Sequence, residues 1–131
     1  MRVLFASEYN SCRSQMAEAI FNLLSAEGSE AFSAGFEPVG YVDAYAIAVM
    51  QELGVDITYN QSKGLEDLPA IEFDVVVAIN WPEPEVLAKG RMQLDWDLSD
   101  PSGMGVEECR SIRNELRSRI ERLISAPLPV S

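Results

Sequence analysis

Val3-Leu4-Phe5-Ala6-Ser7-Glu8-Tyr9-Asn10-Ser11-Cys12-Arg13-Ser14-Gln15-Met16-Ala17-Glu18 reads as a buried strand, a tight polar loop and the start of a helix. Residues 3–6 are a short apolar run of the kind a parallel sheet buries on both faces. Met16, Ala17, Ile20, Phe21 and Leu24 make one apolar helical face, with Ser11 and Ser14 as candidate caps. A loop that ends at a helix N-terminus points backbone N–H groups at a common centre, and the helix dipole adds partial positive charge there. Arg13 stands at that helix start, where its planar two-pronged donor suits an oxyanion. The competing reading of the loop is a serine-rich turn that only caps a helix.

Working outward, strands and helices alternate. Glu27-Gly28 is the expected stop of the first helix, and residues 31–35 read as a second strand closing on Gly35. Asp43 is the expected N-cap of a helix through Leu53, with Ala44, Ile47, Ala48 and Val49 turned inward and Gly54 as its C-cap. Residues 56–67 are polar and read as loop with a short helical turn. Residues 73–79, Phe-Asp-Val-Val-Val-Ala-Ile, are the clearest buried strand. Pro82 and Pro84 end it, and Pro84 suits the first turn of a short helix. Residues 92–96 form a candidate fourth strand. A last helix starts near Val106, with Cys109, Ile112, Leu116, Ile120, Leu123 and Ile124 on one face and arginines elsewhere, and it stops at Pro127 and Pro129. This alternation predicts an α/β sandwich with a mostly parallel sheet and right-handed crossovers. Ligands of such sheets bind beyond the carboxyl ends of the strands, which is where the polar loop falls.

With 131 residues and no repeat or linker, the chain is expected to be a single domain over residues 1–131. Its net charge of −11 argues against a nucleic-acid partner. No apolar run spans a bilayer and the start has no signal-peptide pattern, so a cytoplasmic protein without membrane contact is expected. The chain has no histidine, which excludes a Ser-His-Asp triad. Two cysteines alone make no recognisable zinc site, and no metal or cofactor is expected.

The run Asn10-Ser11-Cys12-Arg13-Ser14-Gln15-Met16-Ala17-Glu18 resembles the low-molecular-weight protein tyrosine phosphatases and, within them, the thioredoxin-coupled arsenate reductases. The middle, residues 33–68, also follows the reductase pattern, so the resemblance covers nearly the whole chain. It implies the low-molecular-weight phosphatase fold, an α/β three-layer sandwich with a four-stranded parallel sheet, and a phosphate cradle made of Ser7, Glu8, Tyr9, Asn10, Ser11, Cys12 and Arg13. It implies that Ser14 bonds the attacking atom, that Asn10 holds the loop's shape, and that Asp100 in Asp100-Pro101 is the general acid. Asp97 is the alternative acid, and an ordinary Asp-Pro turn the competing reading. In some reductases the positions of Asn10, Glu18 and Ser33 help hold potassium, for which Lys63 could substitute; otherwise Glu18 is a solvated helix residue.

The sequence departs from the family in two places within the loop. Ser7 stands where the family has its nucleophilic cysteine, and Tyr9 stands where it has glycine. A serine hydroxyl is far less acidic than a thiol and here has no histidine base, so binding with little turnover is expected. Natural loss of catalysis and a cysteine-to-serine change that traps a ligand are both open origins. Tyr9 could flank the pocket and stack on an aryl substrate, narrow it, or pack outward; Glu8 brings negative charge to the rim. Cys12 reads as a packed or redox-sensitive thiol whose pKa Arg13 should lower, and Cys109 as a small core residue. The reductases' relay cysteines have no counterpart in residues 79–84, so arsenate reduction by that route is not expected. The expected partner is phosphate or another tetrahedral oxyanion, with a phosphotyrosine protein as a candidate. The functional readings are a phosphomonoesterase-type site lacking its thiol, a pseudophosphatase that captures phosphoproteins or senses anions, and an interaction domain whose loop is vestigial.

Overall fold

The computed structural model describes residues 1–81, 86 and 89–126. Its elements are β1 (Arg2–Ser7), α1 (Arg13–Leu24), β2 (Glu30–Gly35), α2 (Ala44–Gln51), a 3₁₀ turn (Leu65–Asp67), β3 (Phe73–Ile79), β4 (Gly90–Trp96) and α3 (Val106–Ser125). The sheet is parallel throughout, in the order β2-β1-β3-β4. The four expected strands and three long helices are all present.

Burial follows the sequence pattern. In central β1 and β3, Val3, Leu4, Phe5, Val75, Val76 and Val77 are fully buried, because both faces of the sheet are covered there. β4 is an edge strand. Its Met92, Leu94 and Trp96 turn toward the helices while Arg91, Gln93 and Asp95 are exposed. One face carries Val3, Phe5, Val75 and Val77 under Met16, Ile20 and Phe21 of α1, Val49 and Met50 of α2, and Leu116 and Ile120 of α3. The other carries Leu4, Ala6, Val76 and Ala78 under Leu65, Leu68, Ile71, Trp81 and Val86. Phe5 joins the layers, 6.2 Å from the ring of Phe21 and 6.0 Å from that of Trp96.

Several local expectations need correction. Neither Ser11 nor Ser14 caps α1: Cys12 holds the cap position without a side-chain bond, and Ser14 lies inside the helix, engaged elsewhere. α1 ends at Leu24, before Glu27-Gly28, and Gly28 takes φ +92° in the turn that follows. In α2 the buried residues are Ala46, Val49 and Met50; Ile47 is half-buried, and Ala44 and Ala48 are exposed. That helix reads Ala-Tyr-Ala-Ile-Ala-Val-Met, apolar all round, so its sequence carries no phase that marks an inner face. Asp43 does cap it, accepting from Tyr45 N and Ala46 N. Gly54 closes its end: Gly54 N donates to Gln51 O and Val55 N to Met50 O, with Gly54 at φ +78°. Arg113 is buried on α3 rather than solvated, and its Nη1 donates to Val49 O at 2.9 Å and pairs with Glu52. The expectations at Pro82, Pro84, Pro127 and Pro129 lie outside the described residues.

Parallel order brings the carboxyl ends of all four strands to one edge. β1 sits between β2 and β3, so the chain leaves β1 at the point where the strand order switches direction. Ser7, Gly35, Asn80 and the segment after Trp96 therefore converge.

Candidate functional site

The loop between β1 and α1 is held from outside by its carbonyls. Phe36 N donates to Ser7 O, Glu37 N to Glu8 O, Val39 N and Ser62 Oγ to Tyr9 O, and Asp43 N to Ser11 O. Among the described residues, the amides of residues 8–13 donate to no protein acceptor. Asn10, Ser11, Cys12 and Arg13 are nevertheless buried. Buried amides without partners are rare, and a run of them beside bonded carbonyls has the polarity of an anion cradle.

Asn10 organises the interior of the loop. It takes a left-handed backbone (φ 49°), which asparagine tolerates better than most residues. Its Nδ2 donates to Ser14 Oγ at 2.7 Å, and its Oδ1 accepts from Lys63 N at 2.9 Å and Gln15 Nε2 at 3.0 Å. Gln15 is fully buried and also donates to Gln61 O. Ser7 Oγ donates to Ser14 Oγ at 2.6 Å. The three residues that the resemblance grouped as attacking position, its partner and loop organiser are thus in one hydrogen-bonded cluster. Gly35 lies directly below; a Cβ there would stand 2.9 Å from Asn10 Cβ, Asn10 N and Tyr9 C. Only glycine lets the loop pack this closely on the end of β2.

Arg13 is 4% exposed and is aimed by two acceptors on other elements. Its Nη1 donates to Leu98 O at 2.9 Å and to Asn80 Oδ1 at 3.1 Å. Asn80 also has a left-handed backbone (φ 51°); its Oδ1 accepts from Leu98 N and its Nδ2 donates to Asp97 Oδ1. Both bonds of Arg13 use Nη1, so among the described residues Nε and Nη2 donate to no acceptor. Asp100 Oδ1 lies 3.9 Å from Arg13 Nε. Asp100 is partly exposed and also accepts from Ser102 N. Asp97, the alternative acid, is engaged by Asn80 instead. Sequence reasoning missed Asn80 and Gln15. The available signal for Asn80 was its place immediately after the most apolar strand, at the switch edge.

Tyr9 is half-buried and meets a negative rim. Glu8 beside it, with smaller effects from burial, Glu37 and Asp100, holds its phenol above the usual value. On the other side of the loop, Lys63 Nζ lies 3.1 Å from Ser33 Oγ and 3.8 Å from Glu18 Oε1. Glu18 is therefore not a solvated helix residue. Its burial pushes its carboxyl up despite Lys63 and Ser33. The Lys63 ammonium occupies the position between Glu18 and Ser33 where the resemblance put a cation.

The expectation that Arg13 lowers the Cys12 pKa is overturned. Contact with Cys109, burial, and the negative charges of Asp43 and Asp100 raise it instead. Cys109 is fully buried in the core, as expected.

Comparison with known proteins agrees with this layout. Residues 2–128 match the family "Low molecular weight phosphotyrosine protein phosphatase". A glutaredoxin arsenate reductase of Synechocystis sp. is 37% identical over 129 residues, 95% of this chain and 96% of the relative. The solved structure of an arsenate reductase in the phosphate binding state superposes with a TM-score of 0.85 at 35% identity, over 95% of this chain and 96% of that one. The low molecular weight protein tyrosine phosphatase from T. tengcongensis does so with a TM-score of 0.75 at 33% identity, over 95% and 97%. Among the described residues, no helix is long and apolar enough to cross a membrane.

Proposed function

The chain belongs to the low molecular weight phosphotyrosine protein phosphatase family, and from that premise we propose that it binds phosphate or a related tetrahedral oxyanion, free or as a phosphomonoester, in the loop of residues 7–13. One observation carries the reading: among the described residues, the amides of residues 8–13 have no protein acceptor while the carbonyls of the same loop are bonded outward. An anion seated there would be held by main-chain donors, the start of α1 and the guanidinium of Arg13. A relative solved in a phosphate-binding state supports the ligand class.

Geometry supports a role for each residue. Arg13, aimed by Asn80 and Leu98 O, grips the anion and stabilises charge on its oxygens. Asp100, beside Arg13 Nε, is placed to protonate a leaving oxygen. Ser7 holds the attacking position, but its hydroxyl proton goes to Ser14, another hydroxyl and no base. Ligand binding therefore persists and turnover is slow. Reduction of arsenate through a thiol at the attacking position has no sulfur to begin with. A phosphoprotein-capture role has one observation in its favour: Phe36, Val39, Tyr41 and Tyr45 are exposed on the segment after β2 that backs the loop.

Aryl phosphate hydrolysis tests the proposal. The protein as it stands should be nearly inert. Ser7→Cys should raise the rate by roughly three orders of magnitude or more, the usual scale of losing a nucleophile. Adding Arg13→Ala should abolish the gain. Failure of Ser7→Cys to gain activity and to bind vanadate would sink the proposal.

A further inference from the structure

Cys12 Sγ and Cys109 Sγ lie 3.7 Å apart, in contact. The residues are 97 positions apart in sequence, one at the end of the anion loop and one in the first turn of α3. Both are free thiols. A disulfide needs its sulfurs at about 2.05 Å, so the pair must close by roughly 1.7 Å. Sulfur–sulfur contact across two elements means that neither chain has to travel far to bring the atoms together.

We propose that Cys12 and Cys109 form a reversible intrachain disulfide under a hydroperoxide oxidant, and that this bond disables the anion loop. The second half rests on the anion-binding reading above; the first does not. Cys109 is the attacking sulfur. The two thiols are in contact and either can donate to the other; contact with Cys12, and then the Arg113 guanidinium, favours negative charge on Cys109 against burial and the Asp43 carboxylate. Cys109 sulfur takes one peroxide oxygen: the S–O bond forms, the O–O bond breaks, and the departing hydroxide takes the proton released by the Cys109 thiol to leave as water. Cys12 sulfur then displaces the hydroxyl from Cys109: the S–S bond forms, the S–O bond breaks, and hydroxide leaves with the Cys12 proton as a second water. The two thiols together lose two electrons, and the peroxide gains them. Both residues are buried, so the reaction proceeds through local opening and is slower than at an exposed thiol.

The consequence for the loop follows from which partner yields. α3 is twenty residues long and packs on α1 and α2, and Arg113 fastens it to Val49 O. Cys12 belongs to a loop, contributes one of the amides that have no acceptor among the described residues, and offers the carbonyl that begins α1 by accepting from Met16 N. Closing the bond draws Cys12 toward α3 and moves that amide and the neighbouring Arg13 out of register with a seated anion. The structure thus places a redox-sensitive clasp at the hinge between loop and helix.

Asp43 is the third group in this cluster; its carboxylate oxygen and the two sulfurs all lie within 4.8 Å of one another. Its Oδ2 already accepts from Tyr45 N and Ala46 N. A thiophilic cation on the three groups is the rival occupant, and the experiment separates it.

The protein is treated with hydrogen peroxide, then mapped by mass spectrometry with and without dithiothreitol, with metal content measured beforehand. The expected product is a monomer lighter by about 2 Da, two hydrogens, restored by the reductant. Trypsin should release residues 3–13 linked to residues 92–110. Cys109→Ser and Cys109→Ala should both lack the linked pair. Separately oxidised cysteines, an intermolecular dimer, or stoichiometric zinc on protected thiols in the protein as isolated would each overturn the disulfide. Vanadate binding is then compared between the two redox forms. The oxidised form should bind about tenfold more weakly or worse, the scale of one lost charge-assisted hydrogen bond. Equal binding by both forms rejects the coupling to the loop, whereas no binding by the reduced form as well indicts the anion reading and leaves the disulfide standing.

Discussion

Ser7 Oγ donates to Ser14 Oγ across 2.6 Å, tying the last residue of β1 to the first turn of α1. Ser14 Oγ also accepts from Asn10 Nδ2, so one hydroxyl holds both Ser7 and Asn10. Ser14→Ala leaves two buried donors without this acceptor. A loss of about 1–3 kcal/mol in stability is expected, measured by urea unfolding. In the Ser7→Cys background the same change should raise the pKa of the introduced thiol, read from the pH dependence of its alkylation. An unchanged pKa would mean that Ser14 does not serve the attacking atom.

Asn80 is a positioning residue for Arg13. Asn80→Ala removes the acceptor of Arg13 Nη1 and Leu98 N and also places alanine at φ 51°. Asn80→Gly removes only the side chain's bonds, because glycine accepts that backbone. Both variants should bind vanadate more weakly, by about tenfold. If Asn80→Gly binds as the parent does, backbone conformation rather than Arg13 orientation is what Asn80 supplies.

The half-buried pair Lys63–Glu18 is expected to be coupled. Burial already pushes the Glu18 carboxyl up, and Lys63 is the charge that opposes this. Lys63→Met should destabilise the protein at neutral pH, and Glu18→Gln added to it should restore most of the loss. A double-mutant cycle by chemical denaturation should give a coupling of about 1–2 kcal/mol. Simple additivity would show that the two groups do not depend on each other.

The elements whose sequence repeats with a clear phase were legible before any coordinates. β3 is apolar apart from Asp74 and α3 carries a regular apolar stripe, and both were placed correctly. α2 was legible as a helix but not as an oriented one, because apolar residues surround it. An anion loop was legible only through the resemblance carried by residues 10–18, because a polar strand-to-helix turn by itself reads as readily as a helix cap. Asn80, Gln15 and Arg113 could not be found that way. Each acts through a contact with residues 5 to 67 positions away in sequence, and a lone polar residue carries no mark of its distant partner. The Cys12 pKa was misjudged for the same reason: Arg13 is adjacent in sequence, while Cys109 and Asp43 are adjacent only in space.

Acid should reveal the clamp between α2 and α3. Arg110 and then Arg113 hold the Glu52 carboxyl at about 2, below its ordinary 4.5. A depressed carboxyl pKa contributes stability that is present above 4.5 and is lost as pH falls toward about 2. The difference in urea midpoint between the parent and Glu52→Gln should therefore shrink across that interval. A difference independent of pH would remove Glu52 from the account.

The most direct measurement is a phosphate titration of the isotope-labelled protein, followed by amide NMR. The amides of residues 8–13 should shift together and saturably, and Arg13→Ala should abolish the response while leaving the rest of the spectrum intact. If those amides stay still in both the parent and Ser7→Cys while phosphate is raised to saturation of known family binders, the loop is not an anion site.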